Sequence, residues 1–247
     1  MASRPHLPER DYETMTPEAI LGVLLESFPA RVSLACSFQK EESVLLDMLF
    51  GLEPKARVFA LDTHVLFPET YALWRALEAR YRITIRGVRP REAEAAARAP
   101  GPGGGAPPWE VDPEACCAAR KVRPLRAELA RLDAWISAIR RDQTPDRAGA
   151  RPVEWDERFE LVKVNPLVRW TAEDVSAYVK EHAVPVNPLH ARGYPSIGCA
   201  PCTTPAQPGE DPRAGRWRGS AKKECGLHTR YAWANAPAPG EEPGGTR

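Results

Sequence analysis

The chain has 247 residues, 43% of them hydrophobic, and a formal net charge of +1. This length suits one large domain or one domain with short appendages, and the near-neutral charge gives no general attraction to nucleic acid. The sequence contains no run of 18 apolar residues and no signal-peptide-like stretch after Met1, which predicts a cytoplasmic protein that does not bind membranes. In that reducing compartment, six cysteines favour metal binding or catalysis over disulfide bonds.

Strand and helix patterns alternate along the chain. Thr16 followed by Pro17 is a typical helix start and predicts a helix to about Ser27. Thr171 to Asp174 resembles a capping box and predicts another helix start. Further helices are expected at 44–50, at 68–80 and after Asp112-Pro113, with a bend or restart at Pro124, and strands at 31–36, 56–61, 81–85, 134–139 and 161–164. The alternation predicts an α/β fold with a doubly wound, mostly parallel sheet.

Composition divides the chain into four segments. We expect an N-terminal extension at 1–14, the α/β domain at 15–219, a short mobile segment at 220–233 that contains an isolated cysteine, and a disordered Pro/Gly-rich tail at 234–247. Residues 99–108 are nearly all Gly, Pro and Ala, which indicates a loop without regular structure.

Five of the six cysteines form a pattern that core packing does not explain. Cys116 and Cys117 are adjacent, Cys199 and Cys202 form a Cys-x-x-Cys turn, and Cys225 stands alone. Zinc needs four ligands that converge at ~2.3 Å, whereas consecutive helical residues point about 100° apart. A cubane cluster offers separate iron corners to neighbouring thiolates, so the first four cysteines predict a [4Fe–4S] site and Cys225 a reactive thiol.

The other cysteines can be weighed against a purely structural role. Burial of Cys116 and Cys117 as small apolar side chains is the alternative to metal binding, and Arg120 and Lys121 close behind them disfavour it. Cys36 ends an apolar run and is expected in the core.

Polar residues follow several of the predicted strands, at the sheet edge where α/β proteins bind ligands. They are Ser37 to Gln39 after the first strand, Leu61 to His64 after the second, and Arg140 and Arg141 after the strand at 134–139, with Arg213 and Arg216 further along the chain. Each arginine alone is typical of an ordinary surface. Four in converging loops predict a nucleotide-like anion, because guanidinium groups bind phosphate and sulfate oxygens through paired donors.

Several motifs together resemble the assimilatory adenylyl-sulfate (APS) reductases. They are Cys116-Cys117-Ala118-Ala119-Arg120-Lys121-Val122, Gly193 through Cys202, Arg213 through Trp217, Glu224-Cys225-Gly226-Leu227-His228, Leu61-Asp62-Thr63 with Leu66 through Thr70, Trp135 through Gln143, and Lys163 through Leu167. The resemblance covers roughly residues 30–230 in the same order. It implies an adenine nucleotide alpha hydrolase-like (PP-loop-like) fold and an enzyme that reduces APS to sulfite and AMP for cysteine biosynthesis.

The resemblance also assigns roles to residues. Cys225 would attack the sulfur of APS and become an S-sulfocysteine, which thioredoxin or a glutaredoxin-like thiol donor would resolve. Lys222, Lys223 and His228 would favour its thiolate, and His228 could instead only position it. The cluster at Cys116, Cys117, Cys199 and Cys202 would organise the site without transferring electrons. Substrate-binding residues would be Ser33, Ser37, Phe38, Gln39, Leu61, Thr63, Lys121, Arg140, Arg141, Arg213 and Arg216.

Three alternatives remain open at this point. The first is a reductase of 3′-phosphoadenylyl sulfate (PAPS) or a dual-specificity enzyme, for which Lys40 could hold the extra phosphate. The second is an ATP pyrophosphatase, which the lack of a glycine pair after Ser37 disfavours. The third is a non-catalytic metal-binding module, which would not explain Cys225. Homo-oligomers are compatible with the sequence, and His64 and Ala138 stand where the resembling proteins usually have glycine.

Overall fold

A six-stranded sheet forms the centre of the computed structural model, which describes residues 5–91, 106–219 and Lys222. The strands are β1 (Val32–Cys36), β2 (Val58–Leu61), β3 (Arg86–Val88), β4 (Ala134–Ile136), β5 (Val153–Asp156) and β6 (Leu161–Val164). Their spatial order is β3-β2-β1-β4-β6-β5, and every pair is parallel except β5 with β6. The predicted α/β class and mostly parallel sheet are therefore confirmed.

The order of the strands creates a crevice above β1 and β4. The chain passes from β1 to β2 and β3 on one side, then returns to β4 on the other side of β1. In open α/β sheets, ligands bind at such a reversal, outside the carboxyl ends of the strands.

Helices cover both faces of this sheet. They are α1 (Pro17–Ser27), α2 (Lys40–Leu52), α3 (Pro68–Tyr81), the short α4 (Pro108–Val111) and α5 (Pro113–Cys117), α6 (Arg123–Leu129) and α7 (Ala172–Glu181). The π-helical turn Ala118–Val122 joins α5 to α6. The predicted starts are confirmed: Thr16 caps α1, Asp112 caps α5, and Thr171 and Asp174 form a capping box on α7. None of the helices in the described part of the chain is long and apolar enough to cross a membrane.

Two hydrophobic clusters lie on opposite faces of the sheet. The larger one packs α1, α2, α3 and α7 against β1 through residues such as Leu24, Leu34, Leu45 and Leu77. The smaller one contains Leu125 and Leu129 of α6 together with strand residues such as Phe59 and Trp135. Because an apolar cluster covers each face of the sheet, side chains on both faces of the central strands are apolar. The sequences of these strands are therefore continuous apolar runs.

Several predicted boundaries were wrong. The expected strand at 81–85 does not form, because α3 continues to Tyr81 and Arg82 then adopts a left-handed conformation, so that β3 begins at Arg86. The strand expected at 134–139 ends at Ile136, and the following residues turn into the crevice. Strand β5 was not predicted.

The expected N-terminal extension packs on the domain where it is described. Leu7 is buried in the larger core cluster, and Glu13 forms an ion pair with Arg141 at 2.6 Å. Most of the predicted loop at 99–108 lies outside the described residues. The expected tail at 234–247 lies outside them entirely, and so does the segment at 220–233 except Lys222.

Candidate active site

A cavity of about 570 Å³ opens at the reversal of strand order. Its floor is formed by residues that end or follow β1, β2 and β4, such as Cys36, Leu61 and Ser137. Its charged lining consists of Lys121, Arg140, Arg141, Arg147, Arg213 and Arg216 together with Glu41, Glu42, Asp142 and Asp211. The excess of cations suits an anionic ligand.

The turn after β1 forms one wall of this cavity. The Ser37 hydroxyl donates to Glu42 Oε1 at 2.8 Å, and the backbone N–H of Gln39 donates to Glu42 Oε2 at 3.1 Å. Phe38 is buried with a φ of 62° and stacks on Trp74 at 5.0 Å. Burial and the neighbouring Glu41 raise the pKa of Glu42 to about 7, against the lowering effect of the Ser37 and backbone hydrogen bonds.

Arg140 and Arg141, both predicted to bind substrate, line the cavity but are held by carboxylates. Arg140 is buried, with its Nε 3.1 Å from Glu41 and its Nη1 2.6 Å from both oxygens of Asp142. Arg141 donates to Glu13 at 2.6 Å and to the carbonyl of Ala150 at 2.8 Å. An anion that binds these two arginines must therefore compete with bonds that already exist.

Arg213, Arg216 and Lys121 also line the cavity. Arg216 Nη1 donates to the Ser196 hydroxyl at 3.1 Å and to the Ile197 carbonyl at 3.2 Å, both of which are neutral acceptors. A Cβ on Gly198 would lie 2.4 Å from Arg216 Nη2, so any side chain at this position would displace the guanidinium.

The four paired cysteines line a second, smaller pocket. Its lining comes from the loop after β2, from α4 to the π-helical turn, from the turn at 199–202 and from Trp217. The residues are Val65, Trp109, Pro113, Cys116, Cys117, Arg120, Lys121, Cys199, Pro201, Cys202 and Trp217. The structure thus brings together the cysteines that the sequence grouped.

The surroundings of these thiols disfavour free thiolates, so a bound cation would be needed to keep them ionised. Burial and the nearby Cys199 raise the pKa of Cys202 to about 11, and burial also raises the pKa of Cys116, which Arg120 opposes. Within the described ranges, no three His, Cys, Asp or Glu side chains are arranged so that they could hold one metal ion. Four thiols around one pocket with Arg120 and Lys121 in its wall fit, in number and type, a cluster with separate metal corners.

Thr63 and Lys121 connect the two pockets. Thr63 lines the cavity, and its hydroxyl lies 3.3 Å from Cys199 Sγ. Lys121 lines both pockets, and Arg120 donates to the Thr63 carbonyl at 2.8 Å. The π-helical turn directly after Cys117 contains both Arg120 and Lys121, which are buried.

Other predicted site residues have different positions. Ser33 is buried within β1, opposite Trp135 in β4, and is not among the residues that line the cavity. Lys40 does not line it either, and its charge instead lowers the pKa of His190, after the larger effect of burial. Cys225 and His228 lie outside the described residues. Lys222, three residues before Cys225, forms an ion pair with Glu114 at 2.5 Å, and its Nζ lies 5.5 Å from the Trp217 ring centre.

Several lining residues were missed from the sequence. Glu41, Glu42 and Asp142 are carboxylates in a predicted anion site, and acidic residues in the first turn of a helix are ordinarily interpreted as favourable charge placement. Cys36 was predicted as a core residue; it is buried, and it also lines the cavity floor. Its position at the last residue of β1 was the available signal.

Comparison with known proteins identifies the family. Residues 31–205 match the model of the phosphoadenosine phosphosulfate reductase domain. The chain belongs to this family. Among its relatives, a protein of Gloeobacter violaceus named phosphoadenosine 5'-phosphosulfate reductase is 45% identical over 222 residues, which are 89% of this chain and 91% of the relative. An adenosine 5'-phosphosulfate reductase of Geobacillus kaustophilus is 41% identical over 230 residues, 92% of this chain and 95% of the relative.

Solved structures agree with the family assignment. A phosphoadenylyl-sulfate reductase from Candida auris, crystallised as a phosphate complex, superposes with a TM-score of 0.69 at 27% identity and covers 78% of this chain and 93% of that one. Yeast FAD synthetase superposes with a TM-score of 0.53 at 13% identity, covering 80% of this chain and 70% of that one, and shares the fold alone. The family membership confirms the resemblance drawn from the motifs, and with it an oxidoreductase that acts on a sulfur group.

Proposed function

We propose that this chain reduces adenylyl sulfate to sulfite and AMP in the cytoplasm, in the assimilation of sulfate, with a thioredoxin or glutaredoxin-like protein as the electron donor. The observation that carries the proposal is the wall shared by the two pockets. Thr63 and Lys121 both line the cationic cavity, and each is also at the cysteine pocket. A nucleotide anion in the cavity would therefore lie next to the cysteine site. A protein that only bound metal would not need an anion site beside its cysteines.

The cavity would receive the substrate in one orientation. The phosphosulfate would lie toward Lys121, Arg213 and Arg216. Lys121 lines the cysteine pocket as well as the cavity, and Arg216 is bonded to Ile197, two residues before Cys199. The adenosine would lie over Leu61 and the other residues at the ends of the strands. Arg140 and Arg141 would contribute by exchanging a carboxylate partner for the anion.

Cys225 would reach this site from Lys222. Three residues span at most about 11 Å when extended. Lys222 is tied to Glu114, two residues before Cys116, and lies beside Trp217 of the cysteine pocket. The Lys222 ammonium is already paired with Glu114. Lys223 and His228 are therefore the better candidates for stabilising the Cys225 thiolate.

The reaction would then proceed in two displacements. The Cys225 thiolate attacks the sulfur of the sulfuryl group, an S–S bond forms, and the S–O bond to AMP breaks. A thioredoxin thiolate next attacks Cys225 Sγ, sulfite leaves with the electron pair of the broken S–S bond, and a mixed disulfide remains. The second thioredoxin thiol resolves that disulfide, so thioredoxin is oxidised and Cys225 returns to its thiolate.

Cys116, Cys117, Cys199 and Cys202 would hold a [4Fe–4S] cluster. When bound, the cluster would supply a fixed charge distribution next to the substrate and no electrons, which come in pairs from thiols. Lys121 would bind the phosphosulfate from the same wall, and the Thr63 hydroxyl would orient Cys199 by donating to its sulfur.

PAPS is the second candidate substrate, because one of the closely similar relatives is named for it. The site for its extra phosphate would not be Lys40, which lies outside the cavity lining. A direct test compares sulfite release from the two nucleotides at equal low concentration, with anaerobically purified protein and reduced thioredoxin. We expect sulfite mainly from adenylyl sulfate. Sulfite mainly from PAPS would reverse the substrate assignment, and sulfite from neither would contradict the proposed activity.

A further inference from the structure

We propose that Gln39 is a positioning residue that fixes the loop before Cys199, and with it Arg216, against the first turn of α2. This proposal rests on the proposed function. It differs from the role that the resemblance gave Gln39, which was to line the turn that binds the substrate phosphate. The side-chain amide of Gln39 is used instead in a contact across 158 positions of sequence.

The contact is a two-bond pair between the Gln39 amide and the peptide groups of Ile197. The Ile197 N–H donates to Gln39 Oε1 at 3.0 Å, and Gln39 Nε2 donates to the Ile197 carbonyl. The first bond requires an acceptor and the second a donor, so the orientation of the amide is determined by its partners. Ile197 is buried and Gln39 is half-buried, which makes both bonds costly to leave unmade.

Ile197 also binds Arg216, one of the arginines that line the cavity. Its carbonyl accepts a second hydrogen bond from Arg216 Nη1 at 3.2 Å, so Gln39 and Arg216 share one acceptor. The next residue, Gly198, packs directly beneath the Arg216 guanidinium. The orientation of this peptide therefore decides where the Arg216 guanidinium lies.

The same loop leads directly into the cysteine pocket. On its far side, Ala200 N–H donates to the Val65 carbonyl at 2.8 Å, and Cys199 forms an isolated bridge with Leu66. On its near side, Gln39 holds Ile197, two residues before Cys199. Gln39 thus joins three walls of the cavity: the turn after β1, the loop at 195–198 and the loop at 213–216.

Gln39 lines the cavity, but both polar atoms of its side chain are bonded to Ile197. Loss of the pair would leave the chemistry at Cys225 unchanged and would allow the two sides of the cavity to move apart. Interactions made equally in the substrate complex and in the transition state act on KM rather than on kcat. We therefore expect Gln39 variants to lose nucleotide affinity while they retain turnover.

Two substitutions distinguish positioning from a role in helix capping. Gln39→Leu removes both bonds at nearly constant size. Gln39→Asn places a favourable N-cap residue before α2 but is one methylene too short to reach Ile197. The matched control is Gln207→Leu, because Gln207 is an exposed glutamine between the two loops.

Three measurements on the full-length, metal-loaded protein test the proposal: hydrogen exchange of the Ile197 amide, AMP affinity by calorimetry, and kcat and KM for adenylyl sulfate. For Gln39→Leu and Gln39→Asn we expect faster exchange at Ile197, AMP binding weakened about tenfold, and KM raised about tenfold with kcat within about threefold of wild type. Gln207→Leu should match wild type in all three.

Two results would overturn the proposal. Gln39→Asn could retain wild-type exchange at Ile197 and wild-type AMP affinity, which would show that only the helix cap matters. Alternatively, the loss could fall on kcat alone, which would make Gln39 part of the chemical step. If Gln39→Leu does not fold, Gln39→Asn decides by the same criteria. Wild-type protein that releases no sulfite would contradict the proposed function, whereas exchange at Ile197 would still confirm or contradict the positioning role.

Discussion

At the scale of single residues, Cys225 is the position on which the proposed reaction depends. Cys225→Ser should leave the visible absorption of the proposed cluster intact and reduce sulfite release by about 10³-fold or more, because a serine hydroxyl is a far weaker nucleophile than a thiolate. The visible spectrum and the turnover of the same sample measure both effects.

A cysteine of the other group provides the control for Cys225. Cys199→Ser should lose visible absorption as well as activity, because Cys199 lies in the cysteine pocket. Retained turnover in Cys225→Ser would remove Cys225 as the nucleophile, and an unchanged spectrum in Cys199→Ser would remove Cys199 from the proposed ligands.

Glu42 makes stability depend on pH. Its pKa in the folded protein is about 7, above the ordinary value of 4.5, so the folded chain binds this proton more tightly than the unfolded chain. The free energy of unfolding should therefore fall as the pH rises from about 4.5 to 7, by up to about 3 kcal/mol. Glu42→Gln should flatten that slope, measured by urea unfolding at several pH values.

The exposed Glu26 on α1 offers a matched comparison for Glu42. Glu26→Gln should keep the slope of the wild type. If Glu42→Gln loses stability between pH 5 and 8 as steeply as the wild type does, another group is responsible for the slope.

His64 occupies a backbone conformation that favours glycine. Its φ is 62°, and its N–H donates to Asp62 Oδ1 at 3.1 Å. His64→Gly should therefore raise the free energy of unfolding by about 1 kcal/mol, because the left-handed region is strained for residues with a Cβ. His64→Ala keeps the Cβ and should give no such gain. Equal stability of the two variants in urea unfolding would contradict this explanation.

At the scale of secondary-structure elements, Asp47 of α2 joins three helices. Its carboxylate accepts hydrogen bonds from Tyr81 at the end of α3, at 2.7 Å, and from Tyr178 of α7, at 3.0 Å. Burial and this carboxylate raise the pKa of both tyrosines, so both remain neutral donors over the physiological range. Helix α7 buries only Val175 within its own span, so this polar contact matters for its position.

Asp47→Ala should lower the free energy of unfolding by about 2–3 kcal/mol, because it leaves two tyrosine hydroxyls without their acceptor. Tyr178→Phe removes one donor together with its share of the contact and should cost about 1 kcal/mol. Chemical denaturation of both variants gives the comparison. Equal losses would show that Tyr81 does not contribute through Asp47.

At the scale of the whole molecule, the cysteine pocket connects segments that the sheet does not hold together. Its lining includes Val65, residues 109–121, residues 199–202 and Trp217. A metal centre there would crosslink them, whereas β1, β2, β4 and β6 are held by their own hydrogen bonds and by two hydrophobic clusters.

Removal of metal by a chelator should therefore speed hydrogen exchange at 108–122 and 195–217 and leave the four central strands protected. Mass spectrometry of peptides from both regions measures this. Uniform exchange across the sheet would show that the metal site is needed for the entire fold. No change in either region would contradict a metal centre at these cysteines.

Several helix starts and the grouping of the cysteines could be predicted from the sequence, each for a different physical reason. The start of α7 was predictable because Thr171 and Asp174 satisfy each other's backbone groups within four residues. The grouping of Cys116, Cys117, Cys199 and Cys202 was predictable because closely spaced pairs of cysteines are typical of metal ligands. The strand wrongly expected at 81–85 failed because its apolar pattern does not reveal that α3 continues through Tyr81.

The sequence by itself determined the fold class, the cysteine groups and the family, because periodicity, helix caps and motifs are local properties of the chain. Only the tertiary structure decided how the charges of the cavity are used. It pairs Arg140 with Glu41 and Asp142, leaves Lys40 outside the cavity lining, and joins Gln39 to Ile197 across the site. The physical reason is that an ion pair or an amide pair depends on which distant segments meet, and no spacing along the chain contains that information.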